Sequence, residues 1–214
     1  MTTVIDEAAP TATRETQTEA SAPSLFLHPP QGQWTIADWA ALPDDAPRCE
    51  LVEGCLEVLP MPRRRHHWIQ RFLGRLLTEH LGWECVDLTG PRIATEEGSG
   101  RIPDIYVLLS PPKLSEPNAD LFDRPNMIVE VVSPGSRQRD RDYVEKQREY
   151  AVIGVSEYWI VDPEEELIGV FGLDEHEAGY EELGRYGRGS SAVSRILDDF
   201  SVDVATLFDE CPAG

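Results

Sequence analysis

The chain has 214 residues, enough for one domain with a sizeable core and loose ends. Its net charge of −20 argues against a broad cationic face for nucleic-acid phosphates, although it leaves room for a locally basic cleft. No apolar run reaches the length of a membrane span, and Cys49, Cys55, Cys85 and Cys211 form no C-x-x-C pair, so free thiols in a reducing cytoplasm are expected.

Residues 1–24 are rich in Ala, Thr, Pro and Glu and lack the basic start and apolar stretch of a signal peptide. The expected division is a disordered tail over 1–30, one domain over 31–208, and a short tail over 209–214. "WTIADWAALP" (34–43) predicts a short helix capped by Thr35, with Asp38 three residues later. "CELVEGCLEVLP" (49–60) has two apolar segments around Glu53-Gly54 and predicts a hairpin. In 63–82, Trp68, Ile69, Phe72, Leu73, Leu76, Leu77 and Leu81 recur with a helical period, and Gly82 marks the stop.

"WECVDL" (83–88) and "IPDIYVLLS" (102–110) predict strands, with "EEGSG" between them as a turn or loop. A polar loop over 111–125 leads to "NMIVEVVS", the most buried-looking strand. A helix is expected over 138–152 and a strand in "SEYWIVD". A helix between two such strands implies a βαβ crossover. "ELIGVFGL", "GYEELGRY" and "SSAVSRI" then suggest an antiparallel meander, and the chain closes on a short helix. The fold class is α/β, a mixed sheet flanked by helices.

Glu130 interrupts the apolar run Ile128-Val129-Glu130-Val131-Val132. A buried carboxylate needs a partner. By the strand's period of two, Glu130 shares a face with Ile128 and Val132. Asp104 follows Pro103 at the start of the preceding strand, and neighbouring strands would bring the two acids to one point. Unaided, they would repel and one would protonate. A divalent ion resolves that conflict, and all-oxygen ligation suits Mg²⁺ or Mn²⁺ better than zinc. A buried arginine beside Glu130 is the alternative. Asp142, Lys146 and Glu149 share one helix face; they could serve the acids or form a solvated surface pair. The chain has 17 arginines but only two lysines, Lys113 and Lys146.

"ELVEG", His66-x-x-Ile69, "RIPD", "IVEVVSPGSRQRDRDYVEKQREY" and "GVSEYWIVDP" occur in this order over roughly 35–205. Together they resemble the Uma-type putative restriction endonuclease family of the PD-(D/E)XK nuclease superfamily. The resemblance implies a restriction-endonuclease-like core and a Mg²⁺-dependent endonuclease acting on DNA, with Asp104 and Glu130 holding the metal. The superfamily lysine two residues after the second acid is absent, because Val132 stands there. The Uma-type pattern supplies it instead from the next helix, as Lys146. Glu53 resembles the acid contributed from an early element, and His66 matches a family histidine of substrate-side or structural role. Arg63, Arg64, Arg65, Arg137, Arg139 and Arg141 are candidates, with His66, to hold the DNA backbone. A homodimer is expected by analogy. The alternative function is a non-catalytic nucleic-acid or protein-binding module on the same fold.

Overall fold

The structure is a computed structural model that describes residues 29–43, 45–88, 92–110, 124–174 and 179–212. The expected N-terminal tail and most of the 111–125 loop lie outside the described residues.

The helix α1 (Ile36–Ala40) is closed by the expected capping box between Thr35 and Asp38. Strands β1 (Cys49–Val52) and β2 (Cys55–Val58) form the hairpin around Glu53-Gly54. Helix α2 (Arg64–Leu81) follows and stops at Gly82, whose φ of 100° suits glycine. The stretch 83–88 divides into a 3₁₀ turn at Trp83–Cys85 and a strand, β3 (Val86–Leu88).

"EEGSG" is the tip of a further hairpin, β4 (Ile93–Glu96) and β5 (Ser99–Arg101). Gly100 pairs with Leu51 of β1, and the Trp39 ring lies where a Cβ would project. The residue that weakens the strand pattern of β5 is the one that lets a tryptophan pack on it. The predicted strand over 102–110 contracts to β6 (Ile105–Val107), since Pro103 has no N–H to give a ladder.

Strand β7 (Met127–Val131) is buried along its whole length. Next comes a continuous helical segment: α3 (Ser136–Asp140), a π turn (Arg141–Glu145) and α4 (Lys146–Val152). It begins two residues before the predicted start. Strand β8 (Glu157–Asp162) lies parallel to β7, so the βαβ crossover is present. Strands β9 (Leu167–Asp174) and β10 (Gly179–Tyr186) complete a six-stranded sheet of order β10-β9-β8-β7-β6-β3. The "SSAVSRI" segment leaves the meander: β11 (Ser191–Val193) pairs with β12 (Ser201–Asp203) in a small separate sheet before α5 (Val204–Glu210). The first four-stranded sheet, β2-β1-β5-β4, is likewise separate, so the single expected sheet is three.

Alternation along β7 sorts the core. Met127, Val129 and Val131 pack towards Ile69, Leu73 and Leu77 of α2. Ile128 and Val132 pack with Tyr150, Tyr158 and Ile160 on the opposite face, beneath the crossover helix. Each such aliphatic side chain stabilises the fold by roughly 1.5–3 kcal/mol when fully buried. Glu130 belongs to the second face by parity, so it points at the crossover helix.

Candidate active site

The β6–β7 register pairs Ile105 with Val129, so one step outward Asp104 comes opposite Glu130. The Val131 N–H donates to Asp104 Oδ2 at 2.9 Å, and Gln70 of α2 donates to the Asp104 carbonyl at 2.5 Å. His66 Nε2 lies 3.0 Å from Asp104 Oδ1. From above, the crossover helix delivers Lys146 and, one turn on, Tyr150. Lys146 Nζ is 2.9 Å from Glu130 Oε1, and the Tyr150 hydroxyl donates to the same oxygen at 2.8 Å. Lys146 also lies 3.4 Å from Glu50 Oε1 and 3.5 Å from Asp142 Oδ1.

The π turn shapes this meeting. The Lys146 N–H bonds to the Arg141 carbonyl five residues back, and the Tyr158 hydroxyl donates to the Asp142 carbonyl at 2.8 Å. A π turn brings residues five apart into line. Arg141 thus joins Asp142 and Lys146 on the face that meets Glu50, with Arg141 Nη1 3.9 Å from Glu50 Oε2. Asp142 and Lys146 are both buried, so they are not a solvated surface pair.

Glu53, expected at the site, sits exposed in the β1–β2 turn with a φ of 48°. The acid that β1 brings to the lysine is Glu50, three residues earlier and fully buried. Its signal was the one Glu130 carried: a carboxylate inside a strand that otherwise reads as buried, "CELV". Arg101, read as part of a loop, anchors this acid from behind. It is 1% exposed and donates to Glu50 at 3.2 Å and to both Glu149 oxygens at 2.6 and 2.9 Å.

The six arginines expected on DNA are scattered. Arg65 is engaged by the body of the protein, through Glu166 and the carbonyls of Pro163 and Cys211. Arg139 pairs with the buried Asp162. Arg137 is exposed and paired with Glu57 at 3.0 Å. Arg64 stacks on Trp68. Arg63 is exposed at the start of α2, and of the six only Arg141 lines the cleft of about 540 Å³ onto which Glu50, Asp104, Glu130 and Lys146 face.

Burial opposes charge throughout, and the neighbours decide the result. At Glu50, Lys146, Arg141 and Arg101 outweigh burial and hold the carboxyl below its usual range. At Asp104, the His66 hydrogen bond and charge, with Lys146 and the Val131 N–H, do the same. Glu130 goes the other way. Burial, joined by the charges of Asp104, Asp142 and Glu50, outweighs Lys146 and pushes it up to about 8. Burial also raises Asp142. His66 and Lys146 resist burial because the surrounding acids favour their charged forms, and both are raised.

No group of three or more His, Cys, Asp or Glu side chains set to hold a metal is present among the described residues. Mg²⁺ is commonly held by one or two carboxylates and retained waters. The donors here fit that pattern. Asp104 and Glu130 are adjacent hard-oxygen groups on the cleft wall, and the raised Glu130 marks negative charge that Lys146 alone does not balance.

Two expectations follow. Glu50→Gln lowers cleavage by about tenfold or more and destabilises the protein by roughly 1–3 kcal/mol, because Arg101 and Lys146 lose a buried acceptor. Glu53→Gln changes neither, as initial rates and thermal melts of the two variants would record. The second concerns pH. The folded value of Glu130 lies above its ordinary 4.5, so its contribution to stability is complete below pH 4.5 and is lost as pH rises to about 8. His66, also raised, acts in the same direction. The metal-free protein should therefore lose several degrees of Tm between pH 5 and pH 8, and Glu130→Gln should flatten that fall.

A crossover helix on a mixed sheet, with acids on two adjacent strands and a lysine on the helix, defines a restriction-endonuclease-like fold. A solved structure described as a putative nuclease from Anabaena variabilis ATCC 29413 has this architecture, with a TM-score of 0.63 and 18% identity over 83% of this chain and 99% of that one. The Uma2 family model, described as "Putative restriction endonuclease", matches residues 36–205, and the chain belongs to that family. A curated relative, Protein HGH1 homolog of Mus musculus, is 32% identical over 143 residues. Those residues cover 62% of this chain and 33% of the relative, so the chain spans about a third of the length of that protein. No helix among the described residues is long and apolar enough to cross a membrane.

Proposed function

We propose that this protein is a Mg²⁺- or Mn²⁺-dependent endonuclease that hydrolyses phosphodiester bonds in DNA, acting in the cytoplasm as a homodimer. The observation that carries this reading is the meeting of Glu130, Glu50 and Asp142 at one ammonium, Lys146, beside Asp104 on a cleft wall. Asp104 and Glu130 would hold the ion, which when bound lowers the pKa of a water and polarises the scissile phosphate.

The chain's own groups supply the rest. Lys146 is kept charged by three acids, so it can orient the attacking water or meet negative charge developing on a phosphoryl oxygen. Its compact ammonium suits that place better than a planar guanidinium. Tyr150 and Lys146 fix the rotamer of Glu130 through one oxygen, Oε1. His66 steadies Asp104. Arg141, at the cleft, is the nearest guanidinium for a substrate phosphate.

One observation favours a second reading. Lys146 and Tyr150 together satisfy Glu130 Oε1 without an ion, as a non-catalytic binding module would. Plasmid nicking with Mg²⁺ or Mn²⁺ separates the two. The nuclease reading expects activity in the wild type and its loss in Glu130→Gln and Lys146→Ala. Equal activity in all three removes the site. A wild type that cuts no DNA with either ion favours the binding module.

A further inference from the structure

The cleft has two unlike walls. One carries the acids and Lys146. The other is the segment leaving β2, where Val58, Pro60, Met61 and Pro62 line the opening without a charge. Met61 is 90% exposed and Val58 61%. Neither belongs to a core cluster, so packing gives no reason for apolar side chains at the mouth of an acidic cleft. Arg48 and His67 line the same opening, and Arg63 stands just beyond Pro62.

The charges around this lip restrict what it can hold. A straight duplex is gripped mainly through phosphates, which takes many free cationic groups on one face. This chain carries a net charge of −20. Arg75, Arg137, Arg148, Arg185 and Arg195 are each already paired with an acid. Arg48 and Arg63 make no ion pair among the described residues. An unpaired nucleotide offers something different, the flat face of a base, whose contact with a side chain depends little on charge. A cleft of about 540 Å³ is in the size range of small-ligand pockets and suits a nucleotide, not the width of a duplex.

We propose that the cleft accepts an unpaired DNA strand, such as single-stranded DNA, a flap or a frayed end. Met61 and Val58 pack against a base beside the scissile phosphate, and Arg48 and Arg63 hold flanking phosphates. This specificity rests on the nuclease reading and deepens it. Two phosphate contacts imply a shallow salt dependence, with a log–log slope of about −1.4 on a single strand, from about −0.7 per phosphate.

The test is fluorescence anisotropy of the full chain with a labelled 20-nucleotide strand, its blunt duplex, a flap and the matching RNA, alongside Mg²⁺ cleavage of each. The single strand and flap should bind at least about tenfold more tightly than the duplex, with the shallow slope above. Met61→Ser, at an exposed position, should weaken single-strand binding by about fivefold while leaving duplex binding and the melting temperature unchanged. Equal or tighter duplex binding, cut at the same rate by wild type and Met61→Ser, overturns the strand preference and leaves the nuclease reading standing. RNA cut in preference to DNA overturns both the proposal and the DNA assignment. Failure to bind or cut any of the four overturns the proposal and the nuclease reading together.

Discussion

Lys146→Met is expected to lower metal-dependent cleavage by about 10²–10³-fold, the range found when one preorganised electrostatic donor is removed from a reacting centre. The side chain is nearly inaccessible and touches three carboxylates, so no water can stand in for it in the same geometry. The loss should also have a pH signature. Lys146 is the main group holding the Glu130 carboxyl down against burial. Without it, Glu130 moves further above 8, and metal binding, which needs the ionised form, shifts to more alkaline pH. Raising the pH should therefore restore metal binding to the variant but not the rate. Lys146→Arg should not rescue activity, because a planar guanidinium cannot occupy the point shared by Glu130 and Glu50. Rates within about threefold of wild type in Lys146→Met would remove the lysine from the chemistry.

Arg101→Met carries the largest expected cost in stability, roughly 3–5 kcal/mol, the usual range when one partner of a buried ion pair is removed. For a chain of this size that is a fall in Tm of roughly 6–20 °C. Arg101 satisfies both oxygens of Glu149 and one of Glu50, all three residues being buried. Truncation leaves Glu149 with Thr95 alone among these contacts, at 2.8 Å. The double variant Arg101→Met/Glu149→Met should regain most of the loss, because an apolar pair needs no counter-charge and Glu50 keeps Lys146 and Arg141. Thermal melts of the single and double variants check both statements. A single variant that melts within about 2 °C of wild type would show that the network contributes little.

The parts of this arrangement that were legible in the sequence are those written in periodicity. The buried run around Glu130, the apolar stripe of α2 and the hairpin at Glu53-Gly54 follow from side-chain spacing. So does the proximity of Lys146 to Glu130, once a helix is known to cross between parallel strands. Other parts were not legible, for reasons that are local. The hairpin 93–101 contains Ser-Gly-Arg, which lacks β-branched residues because Gly100 makes room for Trp39. The π turn adds one residue to a helical turn and leaves no mark on an apolar pattern. Glu53 and Glu50 lie in the same short stretch, and choosing between them requires knowing that Glu53 turns outward with a positive φ. Arg65 and Arg139 look like free basic residues until the chain brings Glu166 and Asp162 beside them.

The central claim is that Asp104 and Glu130 form a site for one divalent ion beside Lys146. A calorimetric titration of Mn²⁺ into the wild type and into Glu130→Gln at pH 8 tests it most directly. The account predicts one ion per chain in the wild type, with binding weakened by about tenfold or more in the variant. Equal affinity in the two proteins, or no binding by the wild type, would contradict it.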